Sequence, residues 1–168
     1  MRRNIVLTGF MATGKTTVGR VLADRLGYEF VDTDTLIEER HGPIAQIFVE
    51  YGEEEFRRME REVAIELAGR QGLVVSTGGR MMVDPVNADV LGATGDVFCL
   101  TATVDTIVDR LTAAGTDSRP MLSGHDLRTR VADLLAERAE AYAGFTQVPT
   151  DDESPDQIAT RITSSMSR

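Results

Sequence analysis

Residues 9–16 read GFMATGKT and match the pattern G-x-x-x-x-G-K-[ST], after an apolar run and before a helical pattern. In this arrangement the backbone N–H groups and the helix N-terminus surround phosphate groups, which requires a strand, a tight loop and a helix in that order. The lysine reaches the β- and γ-phosphates and the hydroxyl residue ligates Mg²⁺. We therefore predict a P-loop that binds ATP and Mg²⁺, with nucleotide contacts from Gly9, Ala12, Thr13, Gly14, Lys15, Thr16 and Thr17.

Lys15 is the single lysine among 18 basic residues, so arginine provides the positive charge at every other position. A compact ammonium on a flexible stem is not interchangeable with a planar guanidinium, and its use at this motif supports the P-loop interpretation. A chance glycine turn before a helix is the alternative, with odds of about one in a hundred in a chain of this length.

The rest of the chain alternates short apolar runs with helical patterns and contains no internal repeat. The sequence predicts strands at 5–10, 28–31, 73–76, 96–102 and, as a short fifth, 146–150. Helices are predicted between them, two of which, at 43–51 and 53–71, join near Gly52. This alternation predicts an α/β fold, a five-stranded parallel sheet with helices on both faces, in one domain of 168 residues.

The charge and composition exclude several classes of partner. The net charge is −9 with acidic residues spread along the chain, so a nucleic-acid surface is not expected. No apolar run approaches the roughly 20 residues that span a bilayer, and MRRNIVLTGF is interpreted as a first strand. The single cysteine, Cys99, lies in VFCL and is expected to be a buried, inert thiol. We predict a cytoplasmic protein with no nucleic-acid or membrane partner.

Two carboxylates, Asp32 and Asp34, directly follow the second predicted strand. Ligands of parallel sheets bind beyond the carboxyl ends of the strands, so this pair is expected near the γ-phosphate. One carboxylate would hold Mg²⁺ through water and the other would accept a proton from an attacking hydroxyl. Helix capping is the alternative, and it would need only one of the two.

At this point the chain resembles the shikimate kinases over nearly its whole length. The motifs, in the order of that family, are GFMATGKTTVGRVLA, VDTDTLIEERHG, IFVEYGEEEFRRMERE, STGG, SRPML and ERAEAY. The resemblance implies a P-loop kinase fold and transfer of phosphate from ATP, with Mg²⁺, to the 3-hydroxyl of shikimate, a small hydroxy acid used in aromatic amino-acid biosynthesis. It also implies a monomer in which a helical segment at about 33–62 binds the substrate and a mobile lid at about 115–125 covers it.

The resemblance assigns roles around the reacting phosphate. Asp34 would contact the reacting hydroxyl and Asp32 would organise Mg²⁺ through water. Arg119, in SRP, would swing in with the lid and meet the transferring phosphoryl group. Arg110 would lie against the adenine.

The resemblance also implies a clamp for the substrate carboxylate. Arg57, held by Glu60, and Arg138 would form it, because guanidinium groups bind carboxylates through two parallel hydrogen bonds. The alternative is that these arginines face solvent, as most charged helix residues do. Glu53–Arg57 and Glu54–Arg58 would then be i,i+4 pairs, worth a few tenths of a kcal/mol.

Two positions depart from the family pattern. Ala12 stands where the family usually has glycine, which is a mild change if φ stays negative. Gly78, Gly79 and Arg80 stand where the family usually has three glycines. The two glycines let the backbone approach the ligand. Arg80 points away from the substrate pocket, adds a third cation to the clamp, or marks a kinase with a different acceptor.

Two other functions remain open from the sequence. A nucleoside monophosphate kinase shares the P-loop and a lid, but it commonly has more lid arginines than the one at Arg119. A module that binds nucleotide without transferring phosphate would need neither the base Asp34 nor a lid cation.

Overall fold

The computed structural model describes residues 2–115 and 126–166. Within them, one parallel sheet has the strand order β2-β3-β1-β4-β5. Its strands are β1 (Asn4–Gly9), β2 (Glu29–Asp32), β3 (Leu73–Ser76), β4 (Gly95–Thr101) and β5 (Thr146–Pro149). The predicted α/β class and five-stranded parallel sheet are confirmed. The predicted lid, apart from Gly115, lies outside the described residues.

Seven α-helices accompany the sheet in the described part of the chain. They are α1 (Lys15–Leu26), α2 (Thr33–His41), α3 (Ile44–Ala68), α4 (Pro85–Thr94), α5 (Val104–Ala114), α6 (Leu127–Ala143) and α7 (Pro155–Met166). A short 3-10 turn, Met81–Val83, follows β3. Across residues 2–115 and 126–166, none of the helices has the length and apolar character needed to cross a membrane.

The alternating side chains of β1 connect the cores on the two faces of the sheet. Ile5 and Leu7 pack in a cluster with α1 and α7, whereas Val6 packs in a second cluster with α2, α3 and α4. Every residue of β1 is buried, as expected for a central strand that is covered on both faces. A third cluster packs Phe10 against α5 and α6 and so supports the carboxyl end of the sheet.

Gly52 interrupts α3 and changes its direction. Its φ of 84° and ψ of 171° lie in a region that is essentially restricted to glycine, and the predicted join between two helices is confirmed there. The half of α3 that follows the break buries Phe56, Met59 and Val63 against the sheet. This packing holds Arg57 at the carboxyl end of the sheet.

Substituting Gly52→Ala is expected to lower the free energy of unfolding by about 1–3 kcal/mol, measured by urea denaturation. Open space surrounds the position, so the cost comes from the backbone conformation and not from a clash. Gly69→Ala is the matched control, because Gly69 ends the same helix with an ordinary φ of −76°. Equal effects of the two substitutions would contradict this account of the break.

Candidate active site

A cavity of about 620 Å³ opens at the carboxyl ends of β1, β2 and β3. It lies where ligands of parallel sheets bind. The predicted site residues that line it are Ala12, Gly14, Lys15, Thr16, Thr17, Asp32, Asp34, Arg57, Glu60, Gly78, Gly79, Arg80 and Arg138. Arg119 lies outside the described residues.

Gly9 and Thr13 shape the P-loop from behind. A Cβ at Gly9 would lie 2.2 Å from the carbonyl oxygen of Leu100 on β4, so only glycine allows this approach. The buried hydroxyl of Thr13 donates to the carbonyl oxygen of Phe10 at 2.7 Å and closes the loop on itself. Neither residue is part of the cavity lining, and their contact with nucleotide stays a prediction.

The ammonium group of Lys15 lies inside the loop. Its Nζ donates to the carbonyl oxygens of Gly9 at 2.8 Å and Phe10 at 2.9 Å. Burial lowers the pKa of Lys15 to about 8, although the negative charge of Asp34 opposes this shift. The loop carbonyls therefore hold a cation where phosphate oxygens are expected to bind.

Ala12 corrects one expectation from the sequence. Its φ is +60°, not negative, so it adopts the left-handed conformation that the family's glycine accommodates more easily. For an L-residue this conformation costs roughly 1–2 kcal/mol. Arg110 contacts the same residue, donating from Nη1 to the carbonyl oxygen of Ala12 at 3.0 Å and from Nη2 to that of Thr150 at 2.8 Å. Arg110 thus ties the strained loop to the segment after β5.

Asp32 uses its two carboxylate oxygens differently. Oδ1 accepts from the backbone N–H of Thr35 at 3.0 Å and caps α2, so the capping alternative applies to this residue. Oδ2 lies 3.5 Å from Oγ1 of Thr16 on the P-loop. These oxygens are the donor type that Mg²⁺ prefers. The described residues contain no group of three or more His, Cys, Asp or Glu that could hold a metal ion, so phosphates and water would have to complete its coordination.

Asp34 is partly buried and packs against the loop after β3. A Cβ at Gly78 would lie 2.5 Å from its Oδ1, which explains why that position has no side chain. Burial raises the pKa of Asp34 to about 6; the charge of Asp32 adds to the shift, and those of Lys15 and Arg57 oppose it. The carboxylate is therefore within electrostatic reach of both the P-loop and the predicted clamp.

The two arginines of the predicted clamp are each held by contacts within the protein. Arg138 is 3% exposed, donates from Nη1 to the carbonyl oxygen of Gly79 at 3.3 Å and lies over the Phe10 ring at 5.1 Å. The solvent-facing alternative is therefore wrong for Arg138. Arg57 donates to Oε2 of Glu60 at 2.6 Å. Glu60 is buried, and burial raises its pKa against the effect of that hydrogen bond.

The ion pairs of Arg57 and Arg58 agree only in part with the i,i+4 pairs named from the sequence. Arg57 does pair with Glu53, at 3.2 Å. The expected Glu54–Arg58 pair is wrong, because Arg58 pairs with Glu55 and Glu62 instead.

Sequence reasoning missed two residues that support the site. Tyr142 donates its hydroxyl to the carbonyl oxygen of Gly79, and Thr33 accepts from the N–H of Gly78 at 2.9 Å. Tyr142 lies one helical turn after Arg138 in ERAEAY, a spacing that places both on one helix face and offered a usable signal. The sequence offered no comparable signal for Thr33.

Comparison with known proteins gives a consistent result. The family model described as shikimate kinase matches residues 11–167. Shikimate kinases of Geobacter sulfurreducens and Symbiobacterium thermophilum are 44% and 43% identical over 95% of this chain, and the matches cover 88% and 93% of those proteins. A solved shikimate kinase from Acinetobacter baumannii, in complex with shikimate, is 34% identical with a TM-score of 0.90, over 99% of this chain and 93% of that one.

Asp34→Asn is expected to stabilise the protein at pH 7.5. Because the folded-state pKa of about 6 exceeds the ordinary value of 3.8, the stability that Asp34 contributes is present in acid and lost as the pH rises through about 6. The amide removes this loss, raising the free energy of unfolding by about 1–2 kcal/mol at pH 7.5 and by much less near pH 4.

Urea denaturation at the two pH values measures the effect. Asp24→Asn, on the exposed face of α1, is the control and is expected to show no such pH-dependent gain. A variant at Asp34 that is no more stable than the unchanged protein at pH 7.5 would contradict the assigned ionisation.

Proposed function

The chain belongs to the shikimate kinase family, and from this premise we propose that it transfers the γ-phosphate of ATP to the 3-hydroxyl of shikimate. It is a small-molecule kinase. The observation that carries the choice of acceptor is that one cavity is lined both by the P-loop ammonium of Lys15 and by the guanidinium-bearing residues Arg57 and Arg138. A polyphosphate and an organic acid need these two kinds of cation, respectively.

On the nucleotide side, Lys15 would exchange its two carbonyl partners for phosphate oxygens. The backbone N–H groups of the loop and the start of α1 would surround the same phosphates. Thr16 and Asp32 would hold Mg²⁺, which supplies positive charge to the phosphate oxygens when it is bound. Arg110 would lie against the adenine, and Arg119 of the lid would meet the transferring group.

On the acceptor side, Arg57 and Arg138 would seat the carboxylate of shikimate. Their contacts with Glu60, Gly79 and the Phe10 ring hold both groups before substrate arrives, which reduces the entropy lost on binding. The backbone of Gly78 and Gly79, which lines the cavity, would lie beside the substrate ring.

Asp34 would accept the proton of the 3-hydroxyl of shikimate. At the same time the oxygen of that hydroxyl would bond to the γ-phosphorus, and the bond from the γ-phosphorus to the bridging oxygen of the β-phosphate would break. A pKa of about 6 suits this role, because the group is largely ionised at neutral pH and is still more basic than an ordinary aspartate. ADP and shikimate 3-phosphate are the products.

We extend the proposal to the organisation of the chain. Residues 1–168 would form one kinase domain that acts as a cytoplasmic monomer. The segment at about 33–62 would bind the acid, and the segment at about 115–125 would close over it and limit hydrolysis of ATP by water.

The competing functions have less support. A nucleoside monophosphate kinase commonly has more lid arginines than the one at Arg119. A nucleotide-binding module has no need for a carboxylate with a raised pKa near the P-loop, such as Asp34. The relatives named above are all shikimate kinases.

The purified protein is expected to release ADP only when shikimate is added to Mg–ATP, with kcat/KM at or above about 10⁴ M⁻¹s⁻¹. Quinate, gluconate and nucleoside monophosphates serve as comparison acceptors in a coupled ADP assay. A higher kcat/KM for any of them than for shikimate would replace the proposed acceptor, and acceptor-independent behaviour would remove the kinase assignment.

Two substitutions are expected to separate the halves of the site. Lys15→Met should reduce kcat by about 10²-fold or more and weaken ATP binding, since it removes the positive charge beside the transferring phosphate.

Arg57→Ala should mainly raise KM for shikimate and leave KM for ATP little changed. An intact turnover of the first variant, or an unchanged shikimate KM of the second, would contradict the corresponding role.

A further inference from the structure

Arg80 follows two positions at which a side chain would crowd Asp34 and Arg138. At Gly78 an added Cβ would meet Asp34 Oδ1 at 2.5 Å, and at Gly79 it would meet Arg138 Nη1 at 3.1 Å. Arg80 has φ −111° and ψ −3°, a negative-φ conformation that L-residues adopt in turns. The third glycine of the family pattern is therefore not required by the backbone here, and an added side chain needs a separate explanation.

Arg80 lines the same cavity as Arg57 and Arg138, and Glu53 is not part of that lining. Its Nη1 lies 3.6 Å from Oε1 of Glu53, which is in the half of α3 that follows the Gly52 break. At this distance the groups attract by charge but do not form a hydrogen bond. The guanidinium is 48% exposed, so it keeps N–H donors that a ligand can reach.

Glu53 joins two of the cavity's arginines through one oxygen. The same Oε1 accepts from Nη2 of Arg57 at 3.2 Å and faces Nη1 of Arg80 at 3.6 Å. Glu53 is 56% exposed, whereas Glu60, the other carboxylate on Arg57, is 2% exposed and bonded at 2.6 Å. Glu60 is thus the closer and more buried partner of Arg57, and Glu53 is a more exposed anion with longer contacts to two guanidinium groups.

We propose that Arg80 is a third arginine that binds the acceptor's carboxylate, and that Glu53 holds the place of this carboxylate until the acid enters. The proposal rests on the proposed function, because it assigns a residue to the acid side of that site. The carboxylate of the acid replaces Glu53 beside Arg57 and Arg80, so that one anion exchanges for another and neither guanidinium is left unpaired. Glu53 then turns to solvent, to which it is already half exposed.

This exchange makes the two residues act on affinity in opposite directions. Arg80 attracts the incoming carboxylate, whereas Glu53 competes with it. A purely structural ion pair between them would behave differently, because losing either partner would then disturb the site in the same way.

The test compares KM for shikimate in variants at the two positions. Arg80→Ala is expected to raise it by about 3- to 20-fold, a range set below that of buried charged hydrogen bonds because the group is exposed. Glu53→Gln is expected to lower it by about 2- to 5-fold. In both variants kcat and KM for ATP should stay within about twofold of the unchanged protein. Arg80→Lys, which keeps the charge without the planar fork, should fall between the unchanged protein and Arg80→Ala.

Arg58→Ala is the matched control, because Arg58 lies on α3 with ion pairs of its own and is not part of the cavity lining. Its KM for shikimate should not change. An unchanged KM for shikimate in Arg80→Ala, as in this control, would overturn the role of Arg80 and leave the proposed function standing. A KM that rises in Glu53→Gln, or does not change, would overturn the exchange. Unchanged protein that fails to phosphorylate shikimate would overturn the proposed function and this inference with it.

Discussion

The site depends on the close approach of two helices, α2 and α6, to the backbone at Gly78 and Gly79. Asp34 and Thr33, at the start of α2, contact this backbone from one side. Arg138 and Tyr142 of α6 contact it from the other. Any side chain at Gly78 would displace the Asp34 carboxylate, so the glycine pair sets the distance between the predicted base and the predicted clamp. The parallel sheet beneath, through β3, holds the pair at the centre of the cavity.

Several groups of the site are held in forms that are unfavourable for the protein alone. Ala12 has a left-handed backbone, and burial shifts the pKa values of Lys15 and Asp34 towards their uncharged forms. A phosphate beside Lys15 and a hydroxyl proton beside Asp34 would stabilise the charged forms of these two side chains. A functional site that reduces stability is a common exchange of stability for activity.

Local patterns were sufficient to predict the elements, because short-range rules decide them. The P-loop, the alternation of strands and helices, and the glycine break at Gly52 were read from residues within a few positions of one another. The φ of Ala12 and the partners of Arg58 could not be predicted in this way. The dihedral angles of a loop, and the choice of an arginine among several nearby glutamates, depend on contacts with the surrounding structure.

The position of Arg80 opposite Glu53 was also beyond the sequence. The two residues are far apart along the chain and meet in the fold, where Glu53 directly follows the break in α3 and Arg80 lies in the loop after β3. The resemblance to shikimate kinases marked Arg80 as unusual, but it left three directions for the side chain. The ion pair with Glu53 and the place of Arg80 in the cavity lining support the second of these, a third cation beside the clamp, which stays a proposal.

A crystal structure of the complex with Mg–ADP and shikimate tests the central claim most directly. It is expected to have the β-phosphate within hydrogen-bonding distance of Lys15 and the carboxylate of shikimate on Arg57 and Arg138, with the 3-hydroxyl beside Asp34. A shikimate molecule bound in the opposite orientation, or outside this cavity, would contradict the account.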